Sequence, residues 1–310
     1  MRWETAQFDA EGAVPFFTDL HINGASEIDL LNANSVEEIH QLGKMLYRNG
    51  TVAYQPSLIT APLESTLRAI SLIESARRER SDDEAEILGI HLEGPFLAPE
   101  MAGAHPVEYL KMPDRELISS YLAAGTITMV TIAPELPGAI ELIRFLSMMG
   151  IKVALGHTRA NREVVQEGFR AGATIVTHLH NRCSKELVDF AMDESDAQLF
   201  LIADGSHVDD QRIQESFQRA GDRIIATTDS ISMRGLGEQS IEIRDGAAFR
   251  TDGVKAGSIA TMRSLWERLA RVIDPESATM ACATRPATLM GRPELGSLEF
   301  GYPAQRAFTT

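Results

Sequence analysis

Short apolar runs alternate along the chain with longer stretches whose apolar positions recur every three or four residues. The runs fall at 15–22, 51–59, 86–94, 127–135, 152–157, 174–180, 198–205 and 223–230, and they predict strands. Amphipathic stretches predict helices over 62–79, 113–123, 137–149, 160–171, 209–220, 258–273 and 276–290. The clearest helix opens at Ser35 with the capping box SVEE, continues through IHQLGKMLYR and stops at Asn49-Gly50. Eight strands, each followed by a helical or loop segment, is the count of a (β/α)8 barrel. Runs apolar on both faces, such as MVTIA and FLIA, suit a parallel sheet covered by helices. An open doubly wound sheet is the alternative, because periodicity does not show closure. No linker or composition break interrupts the pattern, so one domain over 1–310 is expected. The final LGSLEFGYPAQRAFTT reads as a short tail.

Polar residues collect where these strands end. Asp19 and His21 end the first, His91 and Glu93 the third, His157 the fifth, and His178 and His180 the sixth. Asp204 and His207 close the seventh and Asp229 the eighth, while His105 lies on the loop after the third. In a parallel barrel all these ends open on one face. Alternate residues of a strand point the same way, so His91/Glu93 and His178/His180 can both face the lumen. Only His40 falls in a helix, where it is expected at the surface. A carboxylate with two imidazoles suits zinc or another borderline divalent ion. Glu93, His157 and His178 are the candidate ligands, and Asp229 the candidate general base and acid. Other readings stand beside these. Asp229 could cap a following helix, His91 could orient a ligand, His180 could be packing, and Asp204-Gly205 could be a turn.

Charge narrows the partners. The 29 basic residues against 44 acidic give a net charge of −15, which argues against nucleic acid or an anionic membrane. A small anionic substrate stays compatible, since local cations dominate within a Debye length. Cys183 and Cys282 are far apart and form no CxxC, which reads as two free thiols in a reducing compartment. The start MRWETAQFDAEGAVPFF lacks a signal-peptide pattern, and no apolar run approaches the ~20 residues that span a bilayer. A cytoplasmic protein with a small-molecule substrate is expected.

In order along the chain, DLHING, GIHLEGPF, GAHP, VTIAPE, ALGHT, GFRAGATIVTHLHN, IADGSHVD, TTDS and GSIATM resemble the N-acetylglucosamine-6-phosphate deacetylases of the amidohydrolase superfamily. The resemblance spans about residues 17–300. It implies hydrolysis of an N-acetyl amide, with Glu93, His157 and His178 holding metal and Asp229 as the catalytic acid–base. It further implies substrate contacts from His105, Asn181, Arg182, His207, Ile259 and Ala260, with His207 polarising the amide carbonyl or holding the sugar. A homodimer is the implied assembly.

Three departures bear on these expectations. Members build a small β-sandwich from both chain ends; about fifteen residues precede the first predicted strand here, so the sandwich is expected to be absent or vestigial. Members with two histidines in the first motif can hold two metals, whereas this chain has His21 and then Asn23. One divalent ion is therefore expected, zinc or iron(II), with a second near His21 as the alternative. Finally, the family's phosphate-binding arginine after HLHN has no counterpart near Asp189. Arg182, Lys185 and Arg234 are the candidates to replace it. That loss motivates an alternative function, an amidohydrolase of a non-phosphorylated acyl-amide or cyclic amide; a non-catalytic sugar-binding barrel is a further alternative of a different class.

Overall fold

The computed structural model describes residues 13–237, 239–244, 247–298 and 306–309. The start at 1–12 and most of the expected tail, 299–305, lie outside the described residues. Eight parallel strands follow one another in chain order. They are β1 (Phe17–Ile22), β2 (Thr51–Ile59), β3 (Ile90–Glu93), β4 (Ile127–Ile132), β5 (Lys152–Leu155), β6 (Ile175–Val176), β7 (Gln198–Leu201) and β8 (Ile224–Ala226). The short Glu86–Ile87 segment also pairs with β2. The sheet closes on itself. Asp229 N donates to His21 O at 2.9 Å, Asn23 N donates to Ser230 O at 2.8 Å, and Ile22 bridges Ser230 in parallel. That closure decides for the barrel against the open sheet.

Six strands send one fully buried side chain each into the lumen: Leu20, Met129, Ala154, Ile175, Phe200 and Ile225. The barrel is thus filled with hydrocarbon below its mouth. Outside lie α1 (Val36–Arg48), α2 (Leu63–Glu79), α3 (Arg115–Ala124), α4 (Ala139–Met148), α5 (Arg162–Ala171), α6 (Lys185–Asp193), α7 (Asp210–Ala220) and α8 (Met262–Val272). Their starts are chemically marked. Ser35, Asp114, Asn161, Ser184, Asp209 and Thr261 each accept a hydrogen bond from the first turn of the helix they precede. In α1 the reciprocal glutamate of the capping box reaches one residue further back, with Glu38 accepting from Asn34 N rather than Ser35 N. Gly50, at φ 84°, ends that helix as expected.

Several expectations are corrected. The run 174–180 is strand only at 175–176, and 223–230 only at 224–226. The run 86–94 breaks at Gly89 (φ 103°), where a Cβ would lie 2.5 Å from the Thr128 side chain. Helix α6 was missed. The helix expected over 276–290 is instead α9 (Pro275–Thr279), a π-helical turn (Met280–Thr284) and α10 (Arg285–Leu289). Three antiparallel strands between β8 and α8 were also missed: β9 (Ile241–Arg244), β10 (Ala247–Arg250) and β11 (Lys255–Ser258). This flap joins the barrel where Ser258 N donates to Asp229 O at 2.8 Å. The sequence beyond 298 is not only tail, because Arg306–Thr309 pairs antiparallel with Ala13–Pro15. The two segments form a two-stranded ribbon outside the barrel sheet.

Candidate metal centre and active site

Glu93, the last residue of β3, is buried at the barrel mouth and surrounded by imidazoles. Its Oε1 lies 3.1 Å from His157 Nε2 and 2.9 Å from His178 Nε2, and those two nitrogens are 3.0 Å apart. Its Oε2 lies 3.3 Å from His21 Nε2 and 3.4 Å from His105 Nε2. Asp229 Oδ1 is 3.4 Å from His21 Nε2 and accepts from Asn23 Nδ2 at 2.8 Å. Two sets therefore have donor atoms mutually within 4.8 Å: Glu93/His157/His178 and His21/Glu93/Asp229.

The backbone aims these groups. β5, β6 and β8 stop short of their site residues, and His157 (φ 48°), His178 (φ 29°) and Asp229 (φ 46°) take left-handed conformations just beyond. Such conformations are costly without glycine and cluster at functional sites. His157 is oriented by Nδ1 donating to Met101 O at 2.7 Å, which leaves Nε2 as the lone-pair nitrogen. His105 Nδ1 instead accepts from Thr60 N at 3.2 Å.

Electrostatics follow from this packing. Burial alone would raise the Glu93 pKa, but His21, His105, His157 and His178 hold it well below the usual carboxylate range. Burial pushes His157 down to about 4. Burial also opposes charge on His21 and His178, yet His21 is raised by Glu93 and Asp229. His178 is raised well above the usual value by Cys183, Glu93 and Asp229. Carboxylates that favour the charged form of neighbouring imidazoles would equally favour a bound cation. The cluster fits a divalent ion: convergent imidazole nitrogens around one carboxylate, with both His21 ring nitrogens buried and lacking hydrogen-bond partners.

The cluster opens to a cavity of about 30 Å³ whose lining includes Asn23, Glu93, His105, His157, His178, Asn181, Arg182, Asp229 and Lys255. Most of the expected site residues are therefore brought together. Others are not. His207 is absent from this lining, and its Nδ1 pairs with Asp204 Oδ2 at 2.8 Å. Ile259 and Ala260 line a different, largely apolar cavity of about 210 Å³ beside β1 and α1. His180 turns outward to Ser216 Oγ on α7 at 2.8 Å, so His178 and His180 do not share the lumen. His40 is not a surface residue; it is half-buried against Glu84 Oε2 at 2.7 Å. His91 does face the lumen, but Ser57 and Thr131 hydroxyls occupy both its nitrogens, at 2.9 and 2.8 Å. It touches the His21 ring edge-on, with centroids 4.9 Å apart. The Asp204 turn is present, with Oδ1 accepting from Ser206 N and His207 N. Asp229 caps no helix, since the next one begins at Met262 behind Thr261.

Sequence reasoning missed Lys255 in the cavity wall and the hydrogen bond from Asn23 to Asp229. Lys255 enters on the flap, whose strands are marked in the sequence by Asp-Gly pairs between short alternating runs. The flap leans on the loop after β3, with Gln239 donating to Ala104 O and Arg250 Nη1 to Gly103 O.

The amidohydrolase family model matches residues 13–308. The chain belongs to the amidohydrolase family. It is 31% identical to N-acetylglucosamine-6-phosphate deacetylase of Lysinibacillus sphaericus, over 80% of this chain and 68% of that protein. It is 28% identical to N-acetylgalactosamine-6-phosphate deacetylase of Escherichia coli O157:H7, over 96% of this chain and 83% of that one. Among solved structures it is similar to an alanine variant of N-acetyl-D-glucosamine-6-phosphate deacetylase from Mycobacterium smegmatis, in complex with N-acetyl-D-glucosamine-6-phosphate. There the TM-score is 0.84 at 29% identity, covering 91% of this chain and 78% of that one. Within the amidohydrolases the chain thus falls in the N-acetylglucosamine-6-phosphate deacetylase group.

Proposed function

We propose that this amidohydrolase removes the acetyl group from an N-acetyl hexosamine 6-phosphate, with N-acetylglucosamine-6-phosphate as the leading substrate. The observation that carries the reading is the convergence of Glu93, His157 and His178 with Asp229 on one small cavity at the barrel mouth. The relatives' names supply the substrate class. Glu93, His157 and His178 would hold one divalent ion, and His21 Nε2 lies 3.3 Å from Glu93 Oε2 and 3.4 Å from Asp229 Oδ1. The imidazole-rich donor set favours zinc, with iron(II) the alternative. When bound, such an ion supplies a Lewis acid and makes hydroxide accessible near neutral pH.

The chain's own residues do the rest. Asp229 takes the proton from the attacking water and returns it to the departing amine nitrogen. Asn23, donating to Oδ1, fixes the carboxylate for both transfers. His105 and Asn181, in the cavity wall, contact the sugar. His207 lies outside the cavity lining, with Nδ1 paired to Asp204 and Nε2 buried without a hydrogen-bond partner. The one-barrel organisation over 1–310, a cytoplasmic site and a homodimer complete the reading. Two free cysteines support the reducing compartment. Among the described residues no helix is long and apolar enough to cross a membrane.

Asp229→Asn tests the assignment. It is expected to lower kcat by about 10²–10⁴-fold while the protein keeps its metal by elemental analysis. Undiminished kcat in the metal-loaded variant would remove Asp229 from the mechanism. A non-catalytic sugar binder would have no use for a carboxylate held beside the ion site, so that reading is disfavoured.

A further inference from the structure

No arginine stands near Asp189 in the sequence, where the resemblance to the deacetylases would place a phosphate contact, so the anionic end of the proposed substrate needs another partner. The described cations sort cleanly. Lys185 is exposed on α6 and paired with Asp189, which also receives Arg219. Arg234 is exposed and paired with Glu27. Both lie outside the cavity lining. Arg182 and Lys255 do line it, half-buried, and no carboxylate lies within ion-pair distance of either among the described residues. In a chain of net charge −15, two cations without an ion-pair partner in the wall of one cavity need an explanation.

The surroundings keep both available. Arg182 has a left-handed backbone (φ 52°), and its carbonyl accepts from Thr158 N at 3.1 Å, tying the loop next to His157. A Cβ at Gly103 would come within 3.0 Å of Arg182 Nε, so glycine there leaves the guanidinium its room. Lys255 Nζ gives two donors to Ser206, at 2.6 Å to O and 2.9 Å to Oγ, and the ammonium has a third. One cation stands on the barrel loop after β6 and the other on the flap.

We propose that Arg182 and Lys255 together form the phosphate subsite of this chain, replacing the lost arginine from a different place in the fold. This rests on the deacetylase reading for its substrate. The guanidinium offers a fork to two phosphate oxygens, and the ammonium a point charge from the flap side.

The test uses the metal-loaded protein and two readouts. One is the affinity for glucose 6-phosphate against glucose, by titration calorimetry; neither ligand carries an amide. The other is the ratio of kcat/KM for N-acetylglucosamine-6-phosphate over N-acetylglucosamine. Arg182→Gln and Lys255→Met are each expected to weaken glucose 6-phosphate binding and lower the ratio by about 10-fold or more. Lys185→Gln and Arg234→Gln are expected to leave both at wild-type values. If both cavity variants keep wild-type affinity and ratio, the subsite is elsewhere and the inference is overturned. Arg182-dependent binding in a protein that deacetylates nothing would keep the subsite and remove the function. Deacetylation with no preference for phosphate would keep the function and remove the subsite.

Discussion

Glu93 is approached by four imidazoles, and that crowding explains the chemistry of every residue near it. Its carboxylate stays ionised because His21, His105, His157 and His178 outweigh the cost of burial. Asn23 acts at one remove, through its bond to Asp229 Oδ1. Asn23→Ala is therefore expected to lower kcat by about 10–100-fold with KM little changed, read from steady-state kinetics with metal content verified. A change confined to KM would make Asn23 a substrate contact instead. The residue types of the cluster were legible in the sequence because acids and histidines are poor choices for a buried strand end unless they have a partner. The alternation rule worked for His91 and Glu93, which lie within a true strand. It failed for His178 and His180, because β6 stops at Val176 and the backbone then turns left-handed at both. No local composition announces a positive φ in histidine, so that turn was not readable.

Helix boundaries were readable where a side chain caps them, as at Ser35 and Asp209, and unreadable where tertiary packing overrides the pattern. The π-helical turn at Met280–Thr284 is fully apolar in its buried face and gives no break in periodicity. The α6 segment is short, and the polar loop before it masked its Ser184 cap. Side-chain hydrogen bonds also tie elements to one another, and Glu74 on α2 gives the clearest case. It accepts from Arg77 Nη2 at 2.8 Å and from Thr126 N, at the start of β4, at 3.3 Å. Hydrogen bonds from Arg77, aided by Thr126 against the effect of burial, lower its pKa from 4.5 to about 2. A depressed carboxylate contributes stability above its unfolded value and loses it as pH falls toward the folded value. Glu74→Gln should cost about 2 kcal/mol at pH 7. The gap to wild type in urea melts should shrink between pH 4.5 and about 2. A gap independent of pH would assign the cost to packing.

The barrel as a whole is joined at its last seam by a small set of bonds between β1 and the segment after β8. Thr228 contributes two of them, its Oγ1 donating to Asp19 Oδ2 at 2.5 Å and its N to Asp19 Oδ1 at 3.2 Å. The three proposed ligands stand at the ends of β3, β5 and β6, with His21 of β1 and Asp229 after β8 beside them, so a bound ion would add to the ties at the barrel mouth near that seam. Removing it by chelation should lower the melting temperature, and resupplied zinc should restore it. At 100 times the dissociation constant the ion is worth about 2.7 kcal/mol. A melting temperature insensitive to zinc would mean that the native state binds none. Closure itself was never in the periodicity, because the decisive bridges involve residues 228–230, beyond the regular strand. The left-handed backbone at positions 157, 178 and 229 has one more result. Each residue there keeps its side chain in a backbone shape that glycine would adopt more comfortably. A lineage freed from the need to hydrolyse anything would drift toward glycine at those three places, trading lost chemistry for a sturdier fold.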